Sequence, residues 1–160
     1  MEICHYPVAT LLPHAGRMIL LDRVTGFTDT LIETEITVRP ENPFFEMGVG
    51  VAAHIAIEWM AQACGAFVGL EALRRNQPVR LGFLLGTRNF KAERAWFREN
   101  ECLIVRAELV FRDGEIGVFD CNLLDAGVTQ AMAQLTLHQP ADLAAVLARQ
   151  GIDIKSLGTK

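Results

Sequence analysis

Val51-Ala52-Ala53-His54-Ile55-Ala56-Ile57-Glu58-Trp59-Met60-Ala61-Gln62-Ala63-Cys64-Gly65-Ala66-Phe67 is apolar almost all the way round a helical wheel, interrupted only by His54, Glu58 and Gln62. Those three stand at i, i+4 and i+8, so an imidazole, a carboxylate and a primary amide form one polar stripe on an otherwise buried helix. Burying a carboxylate costs several kcal/mol unless it is partnered or neutralised, so such a stripe points to a proton-transfer site.

Read outward, the helix is expected from about Val51 to Arg75, a length of roughly 35 Å at 1.5 Å per residue. Asn76 to Pro78 ends it. Before it, after a turn around Pro7 to Pro13, the run Met18 to Val24 predicts a buried strand. Leu31 to Val38, rich in β-branched residues, predicts a second. Pro40 and Pro43 then break regular structure, and Gly48 and Gly50 allow close backbone approach in the loop that enters the helix. After it come four strand patterns, Val79 to Phe90, Glu101 to Phe111, Ile116 to Leu124 and Val128 to His138, with turns at Arg112 to Gly114 and Asp125 to Gly127. Two strands, a long apolar helix and four strands make an α+β chain, most economically an antiparallel sheet wrapped around the helix. One domain is expected over 1–160, with its core at about 8–139, a short helix over 141–150 and a loose tail.

Composition narrows the function classes. The chain of 160 residues is 51% hydrophobic, and its mean hydropathy of +0.23 is high for its size. That excess predicts apolar surface covered by a subunit interface, in a homodimer or a heterodimer. No run reaches the about 20 uncharged apolar residues that span a bilayer. The first ten residues lack a signal-peptide pattern, so a cytoplasmic protein is expected. Net charge of −4 argues against nucleic acid as a partner. Between Glu71 and Arg98, however, seven basic residues face two acidic ones. That stretch reads as a solvated face or, functionally, as a docking patch for an acidic partner. Cys4, Cys64, Cys102 and Cys121 form no C-x-x-C pair, so neither zinc nor a disulfide framework is expected. Cys64 and Cys121 fall in apolar patterns as buried reduced thiols.

The ordered set Leu12-Pro13-His14, Leu20-Leu21-Asp22-Arg23-Val24, Asn42-Pro43-Phe44-Phe45 and Glu58-Trp59-Met60-Ala61-Gln62-Ala63 resembles the FabZ/FabA-type (3R)-hydroxyacyl-acyl carrier protein dehydratases of the hotdog fold. The match runs over roughly Leu11 to His138. Gly82-Phe83-Leu84-Leu85-Gly86 and Phe119-Asp120-Cys121 are closer to the ApeP-like branch associated with aryl polyene biosynthesis. The resemblance implies a 3-hydroxyacyl thioester on the phosphopantetheine arm of acyl carrier protein, dehydrated to the trans-2-enoyl product in fatty acid or polyketide synthesis. It implies neither metal nor organic cofactor. The family's helix acid corresponds to Glu58. Its histidine, on a loop before the helix, has no counterpart, because the loop here reads Glu46-Met47-Gly48-Val49-Gly50. Family active sites form at a dimer interface, so the chain either works alone or complements a histidine-bearing hotdog subunit.

Dehydration needs a base for the α-proton, an acid for the hydroxyl and hydrogen-bond donors for the thioester oxygen. His54 and Glu58, one turn apart, are the candidate base and acid, and Gln62 the group that orients the carboxylate. Gly48, Gly50 and Val51 are the candidate donors, read as a glycine loop leading into the helix N-terminus. The alternative for His54 is a hydrogen-bonded core or interface residue. Arg74, Arg75, Arg80, Arg88, Lys91 and Arg94 are the candidate carrier-protein docking residues. Packing of the Leu-Pro-His turn is the role expected of His14 and Arg17, and Trp59, Phe67 and Phe83 are expected to set tunnel depth. A hotdog thioesterase, marked by an open polar pocket beside Glu58, and a non-catalytic partner subunit, marked by a blocked tunnel and His54 packed away, are the rival readings.

Overall fold

The central helix buries its apolar residues against one curved antiparallel sheet in the computed structural model, which describes residues 1–151. Six strands build the sheet: β1 (Arg23–Phe27), β2 (Leu31–Thr37), β5 (Phe83–Ala92), β7 (Cys102–Asp113), β8 (Ile116–Asp125) and β9 (Val128–His138), in the order β1-β2-β7-β8-β9-β5. Period-two alternation decides which face each residue takes. In β2, Ile32, Thr34 and Ile36 point inward, while Glu33 and Glu35 point out to pair with Arg106 and Arg23 at 2.8 and 3.0 Å. Leu103, Val105 and Ala107 of β7, Phe119, Cys121 and Leu123 of β8, and Ala131, Ala133 and Leu135 of β9 continue the inner face. This is the hotdog arrangement.

The helix, α2 (Ala56–Arg74), is entered through a 3₁₀ turn at Ala53–Ile55. It therefore starts about five residues later than the apolar pattern predicts. Val51 and Ala52 instead belong to β4 (Gly50–Ala52), which lies between β3 (Phe45–Glu46) and β6 (Trp96–Phe97) in a small second sheet. A short apolar run does not by itself distinguish buried strand from buried helix. Gly50 tips the balance: its φ is +117°, and a Cβ there would collide with the Phe97 carbonyl.

Trp59, Met60, Ala63, Cys64, Ala66, Phe67 and Leu70 of α2 face the sheet and are buried. Phe67 meets Phe119 edge-on at 5.7 Å between centroids, and Trp59 packs on Phe97 at 5.5 Å. Such aromatic pairs add about 0.5–1.5 kcal/mol to the area they bury. The Cys64 and Cys121 sulfurs lie 3.7 Å apart in this layer, where burial pushes the Cys64 thiol well up and keeps it protonated.

The opposite face of α2 is not enclosed by the sheet. A strap formed by residues 8–21 crosses it, beginning with the single turn α1 (Val8–Leu11). Leu12 packs on Gly65, and Leu11 crosses so close to Gly69 that any Cβ there would strike the Leu11 carbonyl. The predicted strand at Met18 to Val24 is displaced for a related reason. Ile19 is extended, but Leu20 and Leu21 are buried outside any strand, with the Leu20 N–H held by Gln62 of α2, and the sheet begins only at Arg23. The strap leaves part of the helix face open. His54 and Glu58 are exposed, and Ile57, Ala61, Gly65 and Val68 are half-buried.

Two further boundaries move. Val79 to Gly82 precede the strand predicted there, and β5 starts at Phe83. The C-terminal helix, α3 (Leu143–Arg149), is capped by Asp142, whose carboxylate accepts from the Ala145 N–H at 3.0 Å. The expected loose tail lies outside the described residues. Strand β5 forms one margin of the sheet, with Leu84 and Leu85 exposed at 40% and 57%. Gly69→Ala is expected to lower stability by about 1–3 kcal/mol through overpacking against Leu11. The measurement is the urea midpoint at constant m-value.

Candidate active site

Glu58 projects from the open face of α2 into a cavity of about 270 Å³. The helix supplies Ala61, Gln62, Gly65 and Val68 to one wall. The strap supplies Pro13 and His14, Gly82 and the start of β5 at Phe83 and Leu84 supply a second side, and β9 supplies Leu137. The lining is thus mostly apolar around one carboxylate, one imidazole and, at one end, Arg80 and Gln139. A site of this kind suits an acyl chain with a polar group at a fixed depth.

A second cavity of about 250 Å³ adjoins it, sharing Val68, Arg80, Leu137 and Gln139. Its rim is charged. Arg112 grips Glu71 through two hydrogen bonds of 3.2 and 2.7 Å, while Arg75 and Arg80 make no ion pair among the described residues. Beside them, Glu115 accepts from the Ala141 N–H at 2.7 Å and pairs with His138 at 3.0 Å, contacts that hold its carboxyl below the ordinary range.

The site expected from sequence is rearranged in four respects. Gln62 does not orient Glu58. Its Nε2 donates to the Met18 carbonyl at 2.6 Å and its Oε1 accepts from the Leu20 N–H at 2.9 Å, so the amide clamps the strap onto the helix. Only 2% of Gln62 is exposed. His54, one turn before Glu58 in the 3₁₀ entry, is exposed and does not line the cavity. Gly48 and Gly50 line a separate space with Phe45, Trp96 and Arg98, and Val51 is in the small sheet, so none is a donor at the helix N-terminus beside Glu58. Trp59 and Phe67 are on the sheet side of the helix, leaving Phe83 as the aromatic that bounds the cavity.

The basic stretch divides as well. Arg94 is held by Glu101 at 2.6 Å and Asp125 at 3.6 Å and lies over the Phe97 ring, which removes it from any docking face. Arg74 stacks on Phe27 at 5.2 Å. Arg88 and Lys91 are exposed on β5, and Arg75 and Arg80 stand at the cavity rim. Of the six, Arg75 at the helix end and Arg80 in the following loop share the rim of one cavity.

The chain matches the ApeP-like family, described as ApeP dehydratase, over residues 6–148. It belongs to the ApeP-like dehydratase family. Among solved structures it is similar to a chain of the dehydratase heterocomplex ApeI:P from Xenorhabdus doucetiae, with 27% identity, a TM-score of 0.85, and coverage of 91% of this chain and 99% of that one. A hypothetical thioesterase from Streptococcus pneumoniae TIGR4, solved with coenzyme A, shares the fold at 14% identity and a TM-score of 0.58, covering 74% of this chain and 84% of that one. The PaaI protein of E. coli, from the phenylacetic acid degradation operon, does so at 12% and 0.56, covering 72% and 81%. No curated protein matches the chain. No helix among the described residues is long and apolar enough to cross a membrane.

Glu58, the acid expected from the sequence, does line a cavity. The residue that sequence reasoning passed over is His14, expected only to pack its turn and found beside Glu58's cavity. A signal for it was present: a helix glutamine four residues after the acid can anchor a preceding strap, and His14 lies in that strap. Replacing Gln62 with Ala is expected to cost about 1–3 kcal/mol by orphaning two backbone groups, whereas Glu58→Gln stays within about 0.5 kcal/mol of the parent. Paired denaturation curves of the two variants make the test.

Proposed function

We propose that the chain is one subunit of a heterodimeric dehydratase acting on 3-hydroxyacyl thioesters of acyl carrier protein, in fatty acid or aryl polyene-type polyketide synthesis. The observation that carries this reading is Glu58 at the wall of a predominantly apolar cavity, in a chain that matches the ApeP-like dehydratase family. Its carboxyl protonates the 3-hydroxyl as the C–O bond breaks, and an imidazole removes the α-proton, giving water and the trans-2-enoyl thioester. Elimination of this kind needs no metal or organic cofactor, and none enters the proposal.

The similarity to a chain of the ApeI:P heterocomplex supports a second hotdog subunit as partner. The β5 margin, with Leu84 and Leu85 exposed, is the surface assigned to it here, because an open apolar strand edge is a template for pairing. Arg75 and Arg80, at the rim, are assigned to the acidic carrier protein and its phosphopantetheine phosphate.

The test uses the purified chain, alone and with a histidine-bearing hotdog subunit, on 3-hydroxyacyl-carrier protein, following enoyl product and free thiol together. Enoyl product is expected, and Glu58→Gln is expected to lower kcat/KM by about 10²–10⁴. Thiol release without enoyl product moves the chemistry to thioester hydrolysis, and neither product in either format overturns the reading. Separately, Arg75→Glu, which lies outside the Glu58 cavity, is expected to raise KM for the carrier-bound substrate while leaving a pantetheine thioester unaffected. That difference is expected to shrink as salt rises.

A further inference from the structure

We infer that His14 is the imidazole that works with Glu58, so that this chain carries its acid and its base in cis. The inference rests on the dehydratase reading for its chemistry, but its geometric content is independent of that reading. His14 is half-buried in the wall of the Glu58 cavity, and its Nδ1 is buried with no hydrogen-bond partner. An imidazole packed for purely structural reasons ordinarily has both ring nitrogens satisfied or solvated, since an orphaned buried polar atom costs free energy. The other candidates fail on position. His54 is outside the cavity, and the loop where the family has its histidine contains none.

The placement of His14 is also built in. The strap that carries it is fixed to α2 on both sides, by Leu11 and Leu12 against Gly69 and Gly65 before it and by the Gln62 amide on Met18 and Leu20 after it. Glu58 stands on that same helix, so ring and carboxylate are referenced to one rigid element, as a catalytic pair requires. The one other ionisable group in the cavity lining is Arg80.

In the step assigned to it, neutral His14 takes a proton from C2 of the 3-hydroxyacyl thioester. The released electron pair forms the C2–C3 double bond, the C3–O bond breaks, and the hydroxyl leaves as water with the proton of Glu58. The imidazolium then returns a proton to the carboxylate through water, which restores both groups.

Two arms test this in the full chain with its hotdog partner. In the first, His14→Gln and His14→Ala lower kcat/KM by about 10²-fold or more with KM little changed, and the acidic limb of the pH–rate profile is lost. His54→Ala changes little, and added imidazole partly restores His14→Ala. An equal loss in His54→Ala, or an unchanged pH profile in folded His14→Gln, overturns the inference. In the second arm, activity is not read. Glu58→Gln protein with ¹⁵N-labelled histidine is mixed with a 3-hydroxyacyl pantetheine thioester, and the ring resonances of His14 are expected to move while those of His5 and His138 stay. If Val68 methyl signals respond and His14 does not, the inference falls while the dehydratase reading stands. If His14 responds but no variant or parent makes enoyl product, the reading falls and the shared site stands. A thioester that moves neither signal overturns both.

Discussion

The clamp between the Gln62 amide and the backbone of Met18 and Leu20 is the contact on which the rest of the candidate site depends. A helix lying in a curved sheet has one face buried by the sheet and one face that something else must cover. Here the cover is an irregular strap, whose backbone groups have no ladder to join. A buried segment without such partners would be costly, and the Gln62 amide, which donates and accepts at once, supplies both. With the strap fixed, the helix face beyond it stays open, and that opening is the cavity of Glu58.

The same contact explains which parts of the molecule were legible in the sequence. The sheet was readable because alternation in β2, β7, β8 and β9 records the buried face directly, as Ile32, Thr34 and Ile36 against Glu33 and Glu35 show. The helix core was readable from its apolar density. Its start was not, because Val51 is buried equally well as strand or helix, and only the collision a Cβ at position 50 would make selects the strand. The strap was misread as strand for a similar reason: hydropathy reports that Leu20 and Leu21 are buried but not what satisfies their backbone.

Within the site, helical spacing placed His54, Glu58 and Gln62 on one stripe, and the stripe splits because it straddles the boundary between three environments. His54 is in the 3₁₀ entry and exposed, Glu58 meets the cavity, and Gln62 is under the strap. Spacing along one element cannot reveal which neighbouring segment passes over it. His14 lies 44 residues before Glu58 in the chain and reaches the same cavity only through the strap's path, so no local pattern joins the two. Arg94 shows the converse, a charge that looks free in sequence and is committed to Glu101 and Asp125 once β7 and β8 are in place.

The thioesterases that share this fold show that the scaffold does not select the reaction, so selection rests on what surrounds the carboxylate. Gly82, Phe83 and Leu84 belong both to the cavity wall and to the run that opens the sheet's outer strand. A subunit that covers this margin therefore also covers part of the cavity. In the assembly proposed above, burying Leu84 and Leu85 would favour association, and excluding water around Glu58 would strengthen every polar contact the carboxylate makes to a bound thioester. With the partner on β5 as proposed, assembly and enclosure would be linked: whatever holds substrate in the closed cavity would also stabilise the pair of subunits, by the same free energy. A hydrolase has less use for that coupling, because it must admit water to the carbonyl that an eliminating enzyme keeps dry.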